Sequence, residues 1–340
     1  MRPAMTDASI NVFSTCPPSS GVPREEYLER VSEIARWSED AGCKGILVYS
    51  DNSLLDPWLV SQIIIQQTKS LCPLVAVQPI YMHPYSVAKH ITSLAYLSGR
   101  RIYLNMVAGG FKNDLEALND NTPHDQRYAR LIEYTTIIMD LLEGALPVSY
   151  AGEFHSVSKL KLTPPLPHGL MPGVFVSGSS DAGIAAAKAL GATAIKYPKP
   201  AYEEDPRKDD VVSPGIRVGI IARQDETEAW EIARARFPED RKGQLTRNLA
   251  TKVSDSVWHK QLSEIDDAAG KSPYWMVPFH NYKTMCPYLV GSYEQVADEL
   301  ARYFMAGYRT VILDIPPDAG ELTHTFAAFE RATQPQPTLR

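Results

Sequence analysis

The feature that most constrains this chain is alternation. Short apolar runs rich in β-branched residues take turns with longer segments of helical period, at residues 10–13, 45–49, 74–77, 102–107, 174–177, 192–196, 216–222 and 310–314. Parallel neighbours need a crossover, and a helix that packs back on the sheet is the usual one, so this rhythm predicts βα units and a parallel sheet. The helical segments run over 24–41, 57–67, 84–98, 124–142, 181–190, 226–237 and 293–306. On the first, Tyr27, Val31, Ile34, Ala35 and Ser38 share a face, and Gly42 stands at its natural stop. On the fourth, Tyr128, Leu131, Ile132, Thr135, Met139 and Leu142 make the apolar stripe.

Eight strands mostly followed by helices predict an α/β fold of the (β/α)8 TIM-barrel type with insertions. The alternative is two doubly wound domains, but no composition shift marks a boundary near the middle. The expectation is therefore one domain over residues 1–340, with flexible tails at 1–9 and 333–340. Three stretches break the rhythm. Residues 148–150 and 153–155 around Ala151-Gly152 read as a hairpin, with a rigid loop from Pro164 to Pro167. Residues 197–215 are proline-rich without a convincing helix. Residues 239–288 read as an insertion and lid region, a polar helical stretch to 269 and then an aromatic loop.

Length and charge narrow the function. With 340 residues, 44% hydrophobic, the chain can bury a large core. A net charge of -6 argues against a broad nucleic-acid-binding face. No secretion signal and no apolar run of membrane-spanning length is visible, so neither membrane nor nucleic acid is an expected partner. The 4 cysteines, Cys16, Cys43, Cys72 and Cys286, lack metal-ligand spacing and read as reduced cytoplasmic thiols. The 8 histidines are scattered without HxH or HExxH spacing, so no metal site is expected.

In a barrel of this type, chemistry sits at the C-terminal ends of the strands. The strongest candidate is Val176-Ser177-Gly178-Ser179-Ser180-Asp181. Gly178 lets the backbone approach a ligand, two serines offer hydroxyls, and a helix N-terminus aims amides at an anion such as a phosphate monoester. The plain alternative is a helix cap by Ser180 or Asp181 with nothing bound. The fourth strand ends in Asn105-Met106-Val107-Ala108-Gly109-Gly110, whose glycines either admit a flat ring or simply turn the chain. Arg217, on strand seven, either reaches the mouth to pair with an anion or lies on the surface. Cys16, ending strand one, reads as a hydrogen-bonding group at the mouth or as small buried filler. His83 and His280 are placed near the mouth as rim or structural residues.

Taken in order, these motifs resemble the bacterial luciferase-like flavin monooxygenases, and among them the alkanesulfonate monooxygenase branch. The likeness runs through Ala41-Gly42, Gly45-Ile46-Leu47-Val48, Asp56-Pro57-Trp58-Leu59-Val60 and Leu74-Val75-Ala76-Val77-Gln78-Pro79. It continues through Leu104 to Gly109, Gln126-Arg127-Tyr128, Gly178-Ser179-Ser180-Asp181 and Leu289-Val290-Gly291-Ser292. The resemblance implies a two-component monooxygenase whose reduced FMN comes from a separate NAD(P)H-dependent flavin reductase and reacts with O2 to form a flavin peroxide. It implies FMN phosphate near Gly178, Ser179, Ser180 and Tyr128, and a flavin ring near Gln78, Asn105, Val107 and Gly109. Arg217 would lie near the phosphate or the substrate. The segment from Tyr274 to Lys283 falls where relatives have a lid, making Trp275, His280, Tyr282 and Lys283 candidate substrate contacts; packing on a neighbouring helix or a dimer interface is the alternative. A homodimer or homotetramer is implied in the same way.

The departures from that branch are specific. Its histidine after strand one is Cys16 here, and its cysteine after strand two aligns with Leu54. Its histidine on strand seven falls at Gly219, and its tyrosine and histidine after strand eight are replaced around Ile315 and Pro317. The expected substrate is accordingly a small or carrier-bound organic molecule other than an alkanesulfonate. Two alternatives remain: a deazaflavin-dependent hydride-transfer enzyme on the same barrel, and a flavin-binding accessory subunit without catalysis.

Overall fold

The computed structural model describes residues 10–109, 111–204, 214–240, 243 and 272–334. Eight parallel strands close a ring: β1 (Asn11–Thr15), β2 (Gly45–Val48), β3 (Cys72–Val77), β4 (Tyr103–Met106), β7 (Val174–Ser177), β8 (Thr193–Lys196), β9 (Pro214–Arg223) and β12 (Thr310–Leu313). Each pairs with the next, β9 pairs with β8 and β12, and β12 returns to β1, so the barrel has no free edge. The anticipated (β/α)8 barrel is the observed fold.

Helices cover the outside. They are α1 (Arg24–Asp40), α2 (Pro57–Gln67), α3 (Pro84–Ser98), α4 (Lys112–Ala117), α5 (His124–Glu143), α6 (Asp181–Ala189), α7 (Glu226–Arg236), α8 (Val277–His280), α9 (Tyr293–Met305) and α10 (Ala319–Thr333). Their starts follow local chemistry. Asp56 caps α2 by accepting from the Trp58 and Leu59 amides, with Pro57 in the first turn, and Ser292 and Gln295 form a reciprocal capping box on α9. Among the described residues, no helix is long and apolar enough to cross a membrane.

Inside the ring, alternate strand residues meet. Phe13, Leu47, Leu74, Tyr103, Phe175, Ile195 and Ile312 form one core cluster, with Phe13 edge-on to Tyr103 and to Phe175 at 5.2 Å. This plug closes the barrel beneath its C-terminal face. Larger clusters lie between strands and helices, one centred on α1, α9 and α10, the other on α3 and α5.

Four details depart from the expectations. First, residues 289–292 belong to a further strand, β11 (Tyr288–Ser292), which pairs with Gly219–Arg223 of the long β9 beyond the part that pairs with β8 and β12. Second, the hairpin strands are β5 (Val148–Ala151) and β6 (Ser156–Leu160), with the connection over 152–155. Glu133 of α5 sets that offset, because its carboxylate accepts the backbone N–H groups of Glu153, Phe154 and His155 at 2.8, 2.9 and 3.0 Å. Third, the aromatic loop contains a short strand, β10 (Tyr274–Trp275), and α8. Fourth, α10 was unanticipated; its signal is the Asp318 cap, whose side chain accepts from the Glu321 amide. The expected polar helix over 239–269 lies outside the described residues apart from Glu239, Asp240 and Gly243. So do Gly110, residues 1–9 and residues 335–340.

Candidate active site

A cavity of about 420 Å³ opens at the C-terminal ends of the strands. That volume suits one ring-containing ligand with its substituents, ligand pockets being roughly 300–1,000 Å³. Its floor is the top of the barrel plug, where Leu47, Ile195 and Ile312 face it. Exposed Ser20, Phe111 and Lys283 stand at the rim.

One part of the cavity gathers hydrogen-bond donors suited to an anion. Gly178, Ser179 and Ser180 line it, together with His124, Arg127 and Tyr128 from the first turns of α5. The N-termini of α5 and α6 therefore meet in this part, and first-turn amides lack helical acceptors and carry partial positive charge. Ser180 does cap α6, accepting the Gly183 amide at 3.2 Å, so the plain capping reading holds for its side chain. Capping leaves Ser179 and the Asp181 and Ala182 amides for an anion. Burial pushes the Tyr128 hydroxyl above its ordinary range, against an opposing hydrogen bond with Ser180, so it is a neutral donor. Gly178 is the tight point: a Cβ there would lie 2.3 Å from the Tyr128 hydroxyl. The exposed Asp181 does not line the cavity, so its charge does not oppose an anion from within.

Amide side chains line the cavity as well. Buried Asn105 accepts from the Ser177 hydroxyl at 2.8 Å through Oδ1, leaving its N–H groups over. Buried Gln78 donates through Nε2 to the Ser50 carbonyl at 2.9 Å, leaving its oxygen over. Val107 and Gly109 line the same cavity.

Beside them is a cluster that the sequence did not disclose as a unit. Arg217 of β9, 6% exposed, donates to the Tyr49 hydroxyl, and its guanidinium carbon sits 5.0 Å from the Tyr49 ring centroid. Its Nη2 is 3.9 Å from Asp314 Oδ1, and Asp314 Oδ2 accepts from the Tyr288 hydroxyl at 2.8 Å. Tyr49, Arg217 and Asp314 all line the cavity. Tyr49 and Asp314 terminate the second and eighth apolar runs, and a polar residue at that end of a barrel strand is the signal that would have found them. The Tyr288 ring lies over Gly219, where any Cβ would come within 2.3 Å of it.

Of the candidates named from sequence, Gln78, Asn105, Val107, Gly109, Tyr128, Gly178, Ser179, Ser180, Arg217, Tyr282 and Lys283 line this one cavity. Cys16, Trp275 and His280 do not. Cys16 is 1% exposed inside a core cluster, and burial pushes its thiol up to about 12. Trp275 packs edge-on against Trp230 at 5.6 Å and against Phe237 at 6.1 Å, because β10 pairs with β11 and carries it into the core. His280 ends α8 with its ring 6.2 Å from Phe279. Among the described residues, the lid region reaches the cavity through Tyr282, Lys283, Thr284 and Met285. Lys283 Nζ is 2.8 Å from Asp240 Oδ2.

A closed parallel barrel with a cavity of this kind above its strands defines a class, and the comparisons name it. Residues 9–310 match the luciferase-like monooxygenase family, and the chain belongs to that family. It is 35% identical over 298 residues to the 4-(gamma-L-glutamylamino)butanoyl-[BtrI acyl-carrier protein] monooxygenase BtrO of Niallia circulans, covering 85% of this chain and 87% of that protein. Two solved structures share the fold at low identity. The EDTA monooxygenase EmoA of Chelativorans sp. BNC1 superposes with a TM-score of 0.72 at 15% identity, covering 98% of this chain and 96% of that one. The coenzyme F420-dependent tetrahydromethanopterin reductase of Methanopyrus kandleri gives 0.66 at 15% identity, covering 94% and 98%.

Proposed function

We propose that this protein is a two-component monooxygenase that takes reduced FMN from a separate NAD(P)H-dependent flavin reductase and uses O2 to oxygenate a carrier-tethered acyl substrate. The observation that carries the reading is the lining of the cavity: donors at the α5 and α6 N-termini, the amide side chains of Asn105 and Gln78, and an apolar floor. FMN carries groups to match, a phosphate and a ring whose edge alternates C=O and N–H.

The residues present fit the group. Ser179, Tyr128 and the first-turn amides of α6 would hold the phosphate, with Gly178 keeping the backbone close. The N–H groups of Asn105 and the oxygen of Gln78 would pair with the ring edge, while Val107 and Gly109 would lie against its face. Bound reduced FMN supplies two electrons for activating dioxygen. The protein's part is to orient substrate and ring, exclude water and hold protons. Arg217 contributes a buried fixed charge, and Tyr282 and Lys283 meet the substrate at the rim.

The separate reductase is what the family resemblance implies. The cavity of about 420 Å³ has room for one flavin with the reacting end of a substrate. The name of the 35%-identical relative supports the acyl-carrier substrate. The test uses a 4-(γ-L-glutamylamino)butanoyl carrier protein, reduced FMN and isotopically labelled dioxygen, read by mass spectrometry of the acyl group. Incorporation of one labelled oxygen atom is the expected result. Reduced FMN consumed with no label in any of a panel of acyl carriers would reject the substrate class.

A further inference from the structure

The polar chain beside the cavity amides contains a group that the function above leaves unused, and the proposal for it rests on that function. Its members come from four parts of the barrel: Tyr49 after β2, Arg217 in β9, Tyr288 in β11 and Asp314 after β12. Tyr288 donates to Asp314 at 2.8 Å, Asp314 lies 3.9 Å from Arg217, and Arg217 donates to the hydroxyl oxygen of Tyr49. Directions matter here. A guanidinium has only donors and keeps its charge, so in the Arg217–Tyr49 bond the phenol oxygen is the acceptor. The phenol's own hydrogen is left over, and among the described residues none accepts it. A hydroxyl that accepts a charge-assisted hydrogen bond becomes a better donor in turn. Tyr49 lines the cavity above Leu47, so that hydrogen is available to a ligand.

The rest of the chain keeps this donor in place. Asp314 balances the Arg217 charge from 3.9 Å, and the Tyr288 hydrogen bond fixes Asp314. Tyr288 has room for its ring because residue 219 is glycine, where a Cβ would lie 2.3 Å from that ring. The space a strand-seven side chain would take is filled by a tyrosine from β11, and the hydroxyl presented to the cavity comes from β2 instead.

We propose that Tyr49 is a catalytic acid, giving its proton to the dioxygen-derived oxygen atom that departs during the reaction. The balance closes with the partners already named. Dioxygen, a substrate C–H and the two electrons and two protons of reduced FMN give one C–OH, one water and oxidised FMN. The proton that Tyr49 lends to the departing oxygen is restored from those two. Asp314 and Tyr288 are positioning residues that act through Arg217.

The test needs no organic substrate. Oxidation of bound reduced FMN by dioxygen, with hydrogen peroxide as product, also puts a proton on a departing oxygen. Anaerobic protein loaded with reduced FMN is mixed with oxygenated buffer from pH 6 to pH 9, and flavin reoxidation is followed by absorbance. Tyr49→Phe should bind reduced FMN within about twofold of the parent and reoxidise it at least about tenfold more slowly at pH 8, general acids contributing roughly 10² to 10⁴ in rate. The gap should close as pH falls, because solvent acid then replaces the phenol. Asp314→Asn should change the profile in the same direction by a smaller factor, and it carries the test if the Phe variant fails to fold. Equal rates for parent and variants at every pH would overturn the proposal while leaving the flavin reading intact. A parent that does not bind reduced FMN would overturn both.

Discussion

At the scale of single residues, the site depends on two glycines whose missing Cβ atoms do different work. Gly178 leaves space beside the Tyr128 hydroxyl, and Gly219 admits Tyr288. In Gly178→Ala the new methyl would overlap the Tyr128 hydroxyl, so the cradle must open. The expected result is a loss of reduced-FMN affinity of at least about tenfold, or roughly 1.4 kcal/mol, by anaerobic titration. Unchanged affinity would detach the phosphate from this loop. Cys16 leads to the opposite expectation. A thiol held up to about 12 inside the core is neutral near pH 7 and has no route to the cavity. Cys16→Ala should lower stability by about 1 kcal/mol through lost packing and leave flavin reoxidation kinetics alone. A large kinetic change would return it to the mechanism. Ser179, Asn105 and Gln78 were legible in sequence because each sits at a strand end in a recognisable motif. The cluster of Tyr49, Arg217, Asp314 and Tyr288 was not, since its members are far apart in the chain and only barrel closure brings them together.

At the scale of elements, what could be read was the periodicity, and what escaped was decided by distant partners. All eight barrel strands lie where their apolar runs are. The hairpin was misplaced because Glu133, a full element away, decides where its turn falls. The aromatic loop could not be divided into buried and cavity-facing residues because its strand pairing is with β11. The C-terminal helix α10 is fastened by a buried ion cluster. Glu321 meets Arg223 of β9 and, at 2.7 Å, Arg236 of α7, with Glu228 3.7 Å from Arg223. Removing one member of such a cluster leaves buried charge uncompensated. Glu321→Ala should therefore cost about 3 to 5 kcal/mol in a denaturant titration. A cost below about 1 kcal/mol would mean that α10 is held by its apolar face alone.

At the scale of the whole molecule, closure of the ring creates the function. Eight parallel strands bring eight C-terminal ends to one face, and a barrel too narrow to leave a pore makes a dry, rigid floor beneath them. Two helix N-termini and the amide side chains of Asn105 and Gln78 line the cavity on that face, and strand order decides which residues meet there. Barrels of this shape also serve coenzyme F420, as the Methanopyrus kandleri structure shows, so the fold alone does not choose between flavin and deazaflavin.

The most direct measurement is an anaerobic titration of the protein with reduced FMN and, in parallel, with reduced coenzyme F420, each followed by thermal unfolding. A ligand that binds only the folded state raises its stability in proportion to occupancy. The account predicts saturable binding of reduced FMN with a raised unfolding temperature, both diminished in Gly178→Ala, and no comparable effect of F420. Stabilisation by F420 with indifference to reduced FMN would contradict it.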